Sequence, residues 1–355
     1  MTYLTRISGR NFRCFSEFEA ELSDSVNCIC GNNGSGKTSF LETVSFVLTG
    51  KSFRTGGNSS VIKKGCSQMD LRGELNIRSD TTSVISITKN STGVKALRNG
   101  HTLKNLSELA GVLPALVFNS KLGDILTEGP SNRRALLDKA AFHVEPRFIG
   151  SWRKYKVALS HRNALLRAKA DRSLFVYWDE NLSVEGEKIE AARQEVVLFL
   201  NEKLLSGLGH LFDEPVYFKY SSGWGGGSFA ENLLSSFERD MFLGYTSIGV
   251  HRADLKLMQG RISAGSRFSR GQLKICGVET LVALALYIEL KTGVRPLLLV
   301  DDLSSELDKK LFFEAVDKIT GLGAQTIFTS VSEGGGSEIQ NFSPTMFHVE
   351  QGELI

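Results

Sequence analysis

Gly31, Asn32, Asn33, Gly34, Ser35, Gly36, Lys37 and Thr38 carry the most chemistry at the shortest spacing in this chain. They fit the pattern G-x-x-x-x-G-K-[ST] at every fixed position. Glycines there let successive backbone N–H groups turn toward a phosphate, and a following helix N-terminus adds a favourable dipole. Lys37 is placed to reach the β- and γ-phosphates, and Thr38 to put its hydroxyl on Mg2+. A nucleoside triphosphate is the expected ligand.

Two further groupings narrow the chemistry. Leu297, Leu298, Leu299 and Val300 run into Asp301 and Asp302. Four apolar residues followed by acid describe a buried parallel strand whose carboxyl end faces a ligand. Asp301 is expected to hold Mg2+, and Asp302 to orient and polarise the attacking water, which makes Asp302 and Lys37 the catalytic candidates. Ser269, Arg270, Gly271 and Gln272 open a long apolar stretch. A Ser hydroxyl at a helix N-terminus makes a second anion site, although one triphosphate needs only one cradle.

The elements that must position these groups are legible. "SVNCICG" before the glycine loop reads as a strand. Phe40, Leu41, Val44, Val47 and Leu48 after it fall at helical spacing, with Gly50 where the helix should stop. Strand, glycine loop and helix are the context that a phosphate loop requires. The rest of the first hundred residues is also strand-like. From about Ser131, a plausible N-cap, to His210 the pattern is helical. One segment begins at Pro146 and marks a face with Trp152, Tyr155 and Leu159. Another runs through "EGEKIEAARQEVVLFLNEKLL" and closes near Gly207 and Gly209. "SRGQLKICGVETLVALALYIEL" reads as a mostly buried helix, "AQTIFTSVS" as a strand and "PTMFHVEQGELI" as a terminal hairpin. The expectation is an α/β fold in which residues 1–120 and 243–355 form one discontinuous domain and residues 121–242 an inserted helical arm.

Composition excludes several classes. The chain has 355 residues, and 41% are apolar and 23% charged, as in an ordinary globular protein. No apolar run approaches the roughly 20 residues of a membrane-spanning helix. "MTYLTRISGRNFRCF" lacks the apolar core and cleavage site of a secretory signal. Five irregularly spaced cysteines suit a reducing cytoplasm. Net charge is only +3, but residues 121–172 hold twelve Lys/Arg against five Asp/Glu, and residues 173–214 hold three against nine. A basic block beside an acidic one suggests a polyanion surface next to a solvated or partner-facing element.

"SRGQ" resembles the signature motif of ABC-type ATPases, and Ser305, Glu306, Leu307 and Asp308 resemble that class's D-loop. In that class the signature of one subunit closes over ATP held by another. More specifically, "NFRCF", "GNNGSGKTSFLE", "KSFRT", "GPSNRRALLD", "YKVALSHRNALLR", "WDENLSVEGEKI", "GVHRADL", "FSRGQLK" and "DDLSSELD" resemble, in order, the bacterial RecF recombination-mediator family. The resemblance implies a P-loop ATPase of ABC/SMC head type with an inserted helical arm. It implies ATP and Mg2+ as ligands, an ATP-dependent homodimer, and binding to double-stranded or gapped DNA. It implies RecO and RecR as partners in helping RecA load at single-strand gaps, during repair and replication restart. Arg13 becomes a candidate phosphate contact, and Asp308 joins the nucleotide site. His251, Arg252 and Asp254 become candidate transmitters of nucleotide state. Lys51, Arg54, Arg133, Arg134, Arg153, Lys154 and Lys156 become candidate DNA contacts, with Arg162 and Arg167 adding charge to the arm. The sequence departs from the family pattern at Asn119-Ser120-Lys121 and at Val250, as a divergent member would. A transporter ATPase subunit predicts a switch His that "QTIFTSVS" lacks; Thr329 or Ser330 stands there instead. A small-molecule kinase would need neither "SRGQ" nor "SELD". A binding module with decayed hydrolysis is the third alternative.

Overall fold

The computed structural model describes residues 1–54, 60–77, 81–119, 122–303, 307–331, 339 and 342–355. Strands follow in chain order as β1 (Tyr3–Phe12), β2 (Phe15–Glu21), β3 (Val26–Cys30), β4 (Met69–Ile77), β5 (Thr81–Asn90), β6 (Gly93–Arg98), β7 (His101–Thr102) and β8 (Ala115–Phe118). They continue as β9 (Val216–Ser221), β10 (Asp254–Gln259), β11 (Ile262–Ser263), β12 (Leu297–Val300), β13 (Thr326–Ser330), β14 (Thr345–Glu350) and β15 (Glu353–Leu354). Backbone contacts divide the chain into two units, Met1–Leu122 with Ile288–Ile355, and Gly123–Tyr287.

The first unit holds two six-stranded sheets. One is antiparallel, in the order β2-β1-β4-β5-β6-β7. Its β4 alternates as one buried face requires: Met69, Leu71, Gly73 and Leu75 are buried, and Arg72 between them is exposed. The other runs β15-β14-β3-β13-β12-β8, parallel from β14 to β8, with β15 antiparallel at the edge. Every residue of β3 and of β12 is buried, as expected for a parallel sheet covered on both faces. The helix Lys37–Thr49 is buried over all ten residues from Ser39 to Leu48. It approaches the antiparallel sheet so closely that a Cβ on Gly73 would lie 2.6 Å from Val47 Cγ1. Phe12, Phe15, Phe40, Phe46, Leu299 and Ile327 belong to one continuous core. The terminal hairpin is present as β14 and β15.

In the second unit, β9, β10 and β11 form an antiparallel sheet in the order β11-β10-β9. Helices span Pro130–Val144, Phe148–Arg167 and Val176–Leu208. The sequence predicts an arm over 121–242, whereas this unit runs from Gly123 to Tyr287. The reason is pairing: Asp254–Gln259 zips along Val216–Ser221, which ties the chain beyond 242 to the arm. The first helix is capped by Gly129 with Pro130 in its first turn, rather than by Ser131. The third begins at Val176, ahead of the "EGEKI" start. Asp171 accepts from the Ser173 N–H at 2.8 Å and caps a short 3-10 turn, Arg172–Phe175, that feeds directly into it. Among the described residues no helix is long and apolar enough to cross a membrane.

Candidate nucleotide-binding site

β3, β13 and β12 are parallel neighbours, and their carboxyl ends place the glycine loop, Thr329 and the Asp301–Asp302 pair side by side. This edge of a parallel sheet is where ligands bind. Gly36 caps the helix at φ 129°, and a Cβ there would lie 2.9 Å from Cys14 Sγ. Gly31, at φ 151°, would put a Cβ 2.2 Å from the Val349 carbonyl oxygen. Neither position accepts a side chain. Lys37 Nζ donates to the carbonyls of Gly31, at 2.7 Å, and Asn32, at 2.9 Å, so its ammonium folds back over the loop. Ser35 Oγ is buried with no hydrogen-bond partner among the described residues, an orphan inside the cradle that a phosphate oxygen would satisfy.

Thr38 Oγ1 donates to Asp301 Oδ1 at 3.0 Å, and Thr329 Oγ1 donates to the same oxygen at 2.9 Å. The Asp302 N–H donates to Thr329 Oγ1 at 3.0 Å. Asp302 itself sits at φ 51°, left-handed backbone that a non-glycine residue adopts under local constraint. Lys37, Thr38, Arg54, Asp301, Asp302 and Thr329 share a pocket of about 350 Å3. A larger open cleft, about 550 Å3, crosses the antiparallel sheet, but its charges pair locally: Arg10 with Glu17 at 2.8 Å, Thr88 with Asp70 at 2.7 Å.

Electrostatics mark the smaller pocket. Burial pushes the Asp301 carboxyl above its usual range, and Asp302 adds to this, while the Thr38 and Thr329 hydroxyls oppose it. Burial pushes the Lys37 ammonium below its usual range, against Asp301 and Asp302. A carboxylate and an ammonium both held away from their charged forms would be relieved by a cation and a polyanion respectively.

Several expected residues fall elsewhere. Arg13 lies in a bidentate pair with Glu42, at 2.6 and 2.8 Å, and donates to the Ser60 carbonyl at 2.7 Å. Glu42 is fully buried and also accepts from Ser52 Oγ at 2.5 Å, with Arg54 Nη1 at 3.9 Å. Arg54, read as a DNA contact, therefore lines the nucleotide pocket. Glu42 was missed, although a lone carboxylate in the apolar run "SFLETVSFVL" was a signal. Cys14, also missed, lines the pocket with no pattern to announce it. Ser269 Oγ accepts from the Gln272 N–H at 3.2 Å, and Gln272 Oε1 accepts from the Ser269 N–H at 2.9 Å. The signature thus forms a reciprocal cap on the helix Arg270–Thr292. Asp308 caps the helix Lys309–Thr320 by accepting from the Leu311 N–H at 2.9 Å. Thr55, Ser120, Lys121, Ser305 and Glu306 lie outside the described residues.

The expected DNA contacts divide. Lys51, Arg153, Lys154 and Lys156 are exposed. Arg133 is not a surface cation: it is buried in a bidentate pair with Asp254, at 2.8 and 3.0 Å. Arg134 donates to the Ala253 carbonyl at 2.8 Å. Arg162 is fully buried between Asp179 and Asp240. A buried guanidinium paired with carboxylates inside a unit holds that unit together instead of meeting phosphates. His251 belongs to the same interior: Nδ1 is 2.8 Å from Tyr155 Oη and Nε2 is 3.2 Å from the Thr246 carbonyl oxygen.

Burial lowers the His251 pKa from 6.5 to about 4. The folded state therefore binds a proton later than the unfolded state as pH falls. Stability carried by the neutral ring is complete above pH 6.5 and is lost on the way down to about 4. The expected loss is about 3 kcal/mol. His251→Gln should flatten the acid limb of a denaturation–pH profile over that window; an unaltered slope would remove His251 as its cause.

The family model described as RecF/RecN/SMC N terminal domain matches residues 3–353. A Shewanella pealeana protein named DNA replication and repair protein RecF is 34% identical over 99% of this chain and 98% of its own length. A Vibrio vulnificus protein of the same name is 33% identical over 99% of both. The solved structure of the recombination mediator protein RecF-ATP in the RecFOR pathway is similar at TM-score 0.88 and 25% identity, over 100% of this chain and 97% of that one. An Smc head bound to the C-winged helix domain of ScpA shares the fold, at TM-score 0.57 and 14% identity, over 99% of this chain and 97% of that one.

Proposed function

The chain belongs to the RecF family, and from that premise we propose that it is an ATP-dependent DNA-binding protein of replication and repair whose two copies are fastened together by ATP. The observation that carries the reading is the convergence of Lys37, Thr38, Asp301, Asp302 and Thr329 on one pocket beside an orphan Ser35 hydroxyl. The loop N–H groups and Lys37 hold the triphosphate. Thr38 and Asp301 are adjacent hard oxygen donors, which suits Mg2+, a cation that would neutralise charge on the phosphates. Asp302 orients water for a slow hydrolysis that serves as a release step. Its backbone is fixed through Thr329, so the carboxylate is positioned without a switch histidine.

The helix Arg270–Thr292, capped by Ser269, presents its positive dipole end in an ordered form. One triphosphate fills one cradle, so this second anion-reading end serves the nucleotide of another copy. Two identical half-sites make a twofold dimer, and ATP bound between copies favours association by mass action. The exposed cations of the first unit and of the helix Phe148–Arg167 supply a salt-dependent, sequence-tolerant DNA surface. The mediator proteins RecO and RecR are the proposed partners, and the cytoplasm the proposed site of action.

Ser269→Arg tests the shared site. The substitution costs a helix cap, about 1 kcal/mol, and leaves the phosphate loop untouched. Light scattering is expected to show wild type shifting from monomer to dimer on adding ATP, and the variant binding ATP yet remaining monomeric. An ATP-bound variant that still dimerises rules out the two-copy site.

A further inference from the structure

The phosphate loop is held from outside by a segment that its own pattern does not contain. β14 runs parallel to β3 and pairs Phe347 with Ile29 and His348 with Cys30. One step further the two chains converge: Val349 is fully buried, with its carbonyl oxygen against Gly31. The chain then reverses. Glu350 pairs with Glu353, so Gln351 and Gly352 alone form the turn into β15. Their φ values are 48° and 83°, the two successive positive values that a two-residue hairpin turn of this hand requires.

The turn touches the loop. The Gly352 N–H donates to the Ser35 carbonyl oxygen at 3.0 Å, and the Ser35 N–H donates to the Asn32 carbonyl at 3.1 Å. Ser35 is thus tied inside the loop through its N–H and outside it through its carbonyl, and its hydroxyl is the orphan of the cradle. Gly352 comes this close because it has no side chain. A Cβ there would lie 2.7 Å from the Cys14 carbonyl oxygen, which Lys63 Nζ already holds at 2.9 Å. The Cys14 thiol packs against Gly36 on the other side of Ser35. The loop glycines Gly34 and Gly36, at φ 81° and 129°, have many backbone states open to them. Ordering such a loop around a triphosphate costs conformational entropy, and a contact that orders it beforehand removes that cost from binding. The same turn occurs elsewhere without such a contact. Asn99 and Gly100 join β6 to β7 at φ 51° and 82°, and a Cβ on Gly100 would meet nothing within 4 Å. The turn conformation by itself therefore demands neither the approach to Cys14 nor the bond to Ser35.

We propose that Gly352 is a positioning residue of the nucleotide site, its N–H holding the Ser35 carbonyl so that the phosphate loop is preformed for ATP. The inference rests on the reading of this chain as an ATP-binding protein and extends that site to the hairpin of β14 and β15.

The full chain is titrated calorimetrically with ATP and Mg2+, beside melting curves and amide exchange read by mass spectrometry. Gly352→Ala and Gly100→Ala put a Cβ into the same left-handed backbone, so they share the strain and differ in what the Cβ meets. Both are expected to melt at a slightly lower temperature. Gly352→Ala is expected to bind ATP about tenfold more weakly and, without nucleotide, to exchange the amides of residues 31–38 faster. Gly100→Ala is expected to match wild type in both. An ATP affinity of Gly352→Ala within about twofold of wild type overturns the inference, as does an equal loss in Gly100→Ala. Should Gly352→Ala fail to fold, wild type decides: its Gly352 amide is expected to be protected from exchange without nucleotide, and free exchange there overturns the inference. Wild type that binds ATP while either result goes against Gly352 spares the ATP reading; wild type that binds no ATP removes both.

Discussion

Lys37→Met is expected to weaken ATP binding by at least about a hundredfold, close to 3 kcal/mol, while the protein stays folded. The substitution keeps the aliphatic stem and removes the ammonium. That ammonium satisfies the carbonyls of Gly31 and Asn32, and on ATP binding it is expected to transfer to phosphate oxygens. Burial already lowers its pKa, so part of the ammonium's hydration is lost before a phosphate arrives. Calorimetric titration with ATP checks the prediction, beside a melting curve to confirm folding. Affinity within about threefold of wild type would show that the loop amides alone hold the nucleotide. The dimer should disappear with the binding, which separates this variant from Ser269→Arg.

Arg162→Met is expected to destabilise the second unit by about 3–5 kcal/mol. Arg162 is fully buried, and its Nε donates to Asp179 at 2.6 Å. Its Nη1 donates to Asp240 at 2.7 Å and to Thr246 at 2.9 Å. Asp240 is itself completely buried, so the variant leaves one carboxylate without a cation and a second without its main partner. Burial already holds the Asp179 carboxyl above its usual range despite Arg162. Carboxyls with raised folded pKa values bind protons more readily when folded, so their cost falls as pH drops toward those values. The deficit should therefore be largest at neutral pH and shrink in mild acid, as read from urea midpoints across pH. A deficit independent of pH would point to lost packing instead of stranded charge.

The legible part of the site was its contiguous part. GNNGSGKT specifies itself because loop, lysine and threonine lie within one turn and one helix start, and the apolar run before Asp301 announces a buried strand end. The partnership of Thr38 with Asp301 spans 263 residues, and only the parallel order of β3, β13 and β12 brings them together. The arm shows the opposite case. Its helices were readable from periodicity, but their N-terminal bounds depended on Gly129 and Asp171, whose roles come from local backbone geometry.

The sequence by itself determined that a glycine-rich phosphate-loop pattern precedes a helix, that a second helix opens on Ser269, and that one segment is rich in positive charge. Short-range patterns carry that information because backbone geometry within a few residues is set by local sterics and hydrogen bonds. Tertiary structure alone decided which positive charges remain outside. Arg133 and Arg162 look like Arg153 in the sequence, but the first two meet Asp254 and Asp240, 121 and 78 residues away. A buried guanidinium is tolerated only where carboxylates converge on it, and that convergence is a property of packing rather than of spacing. The same packing turned Arg54 into the pocket of the phosphate loop and the Asp301–Asp302 pair.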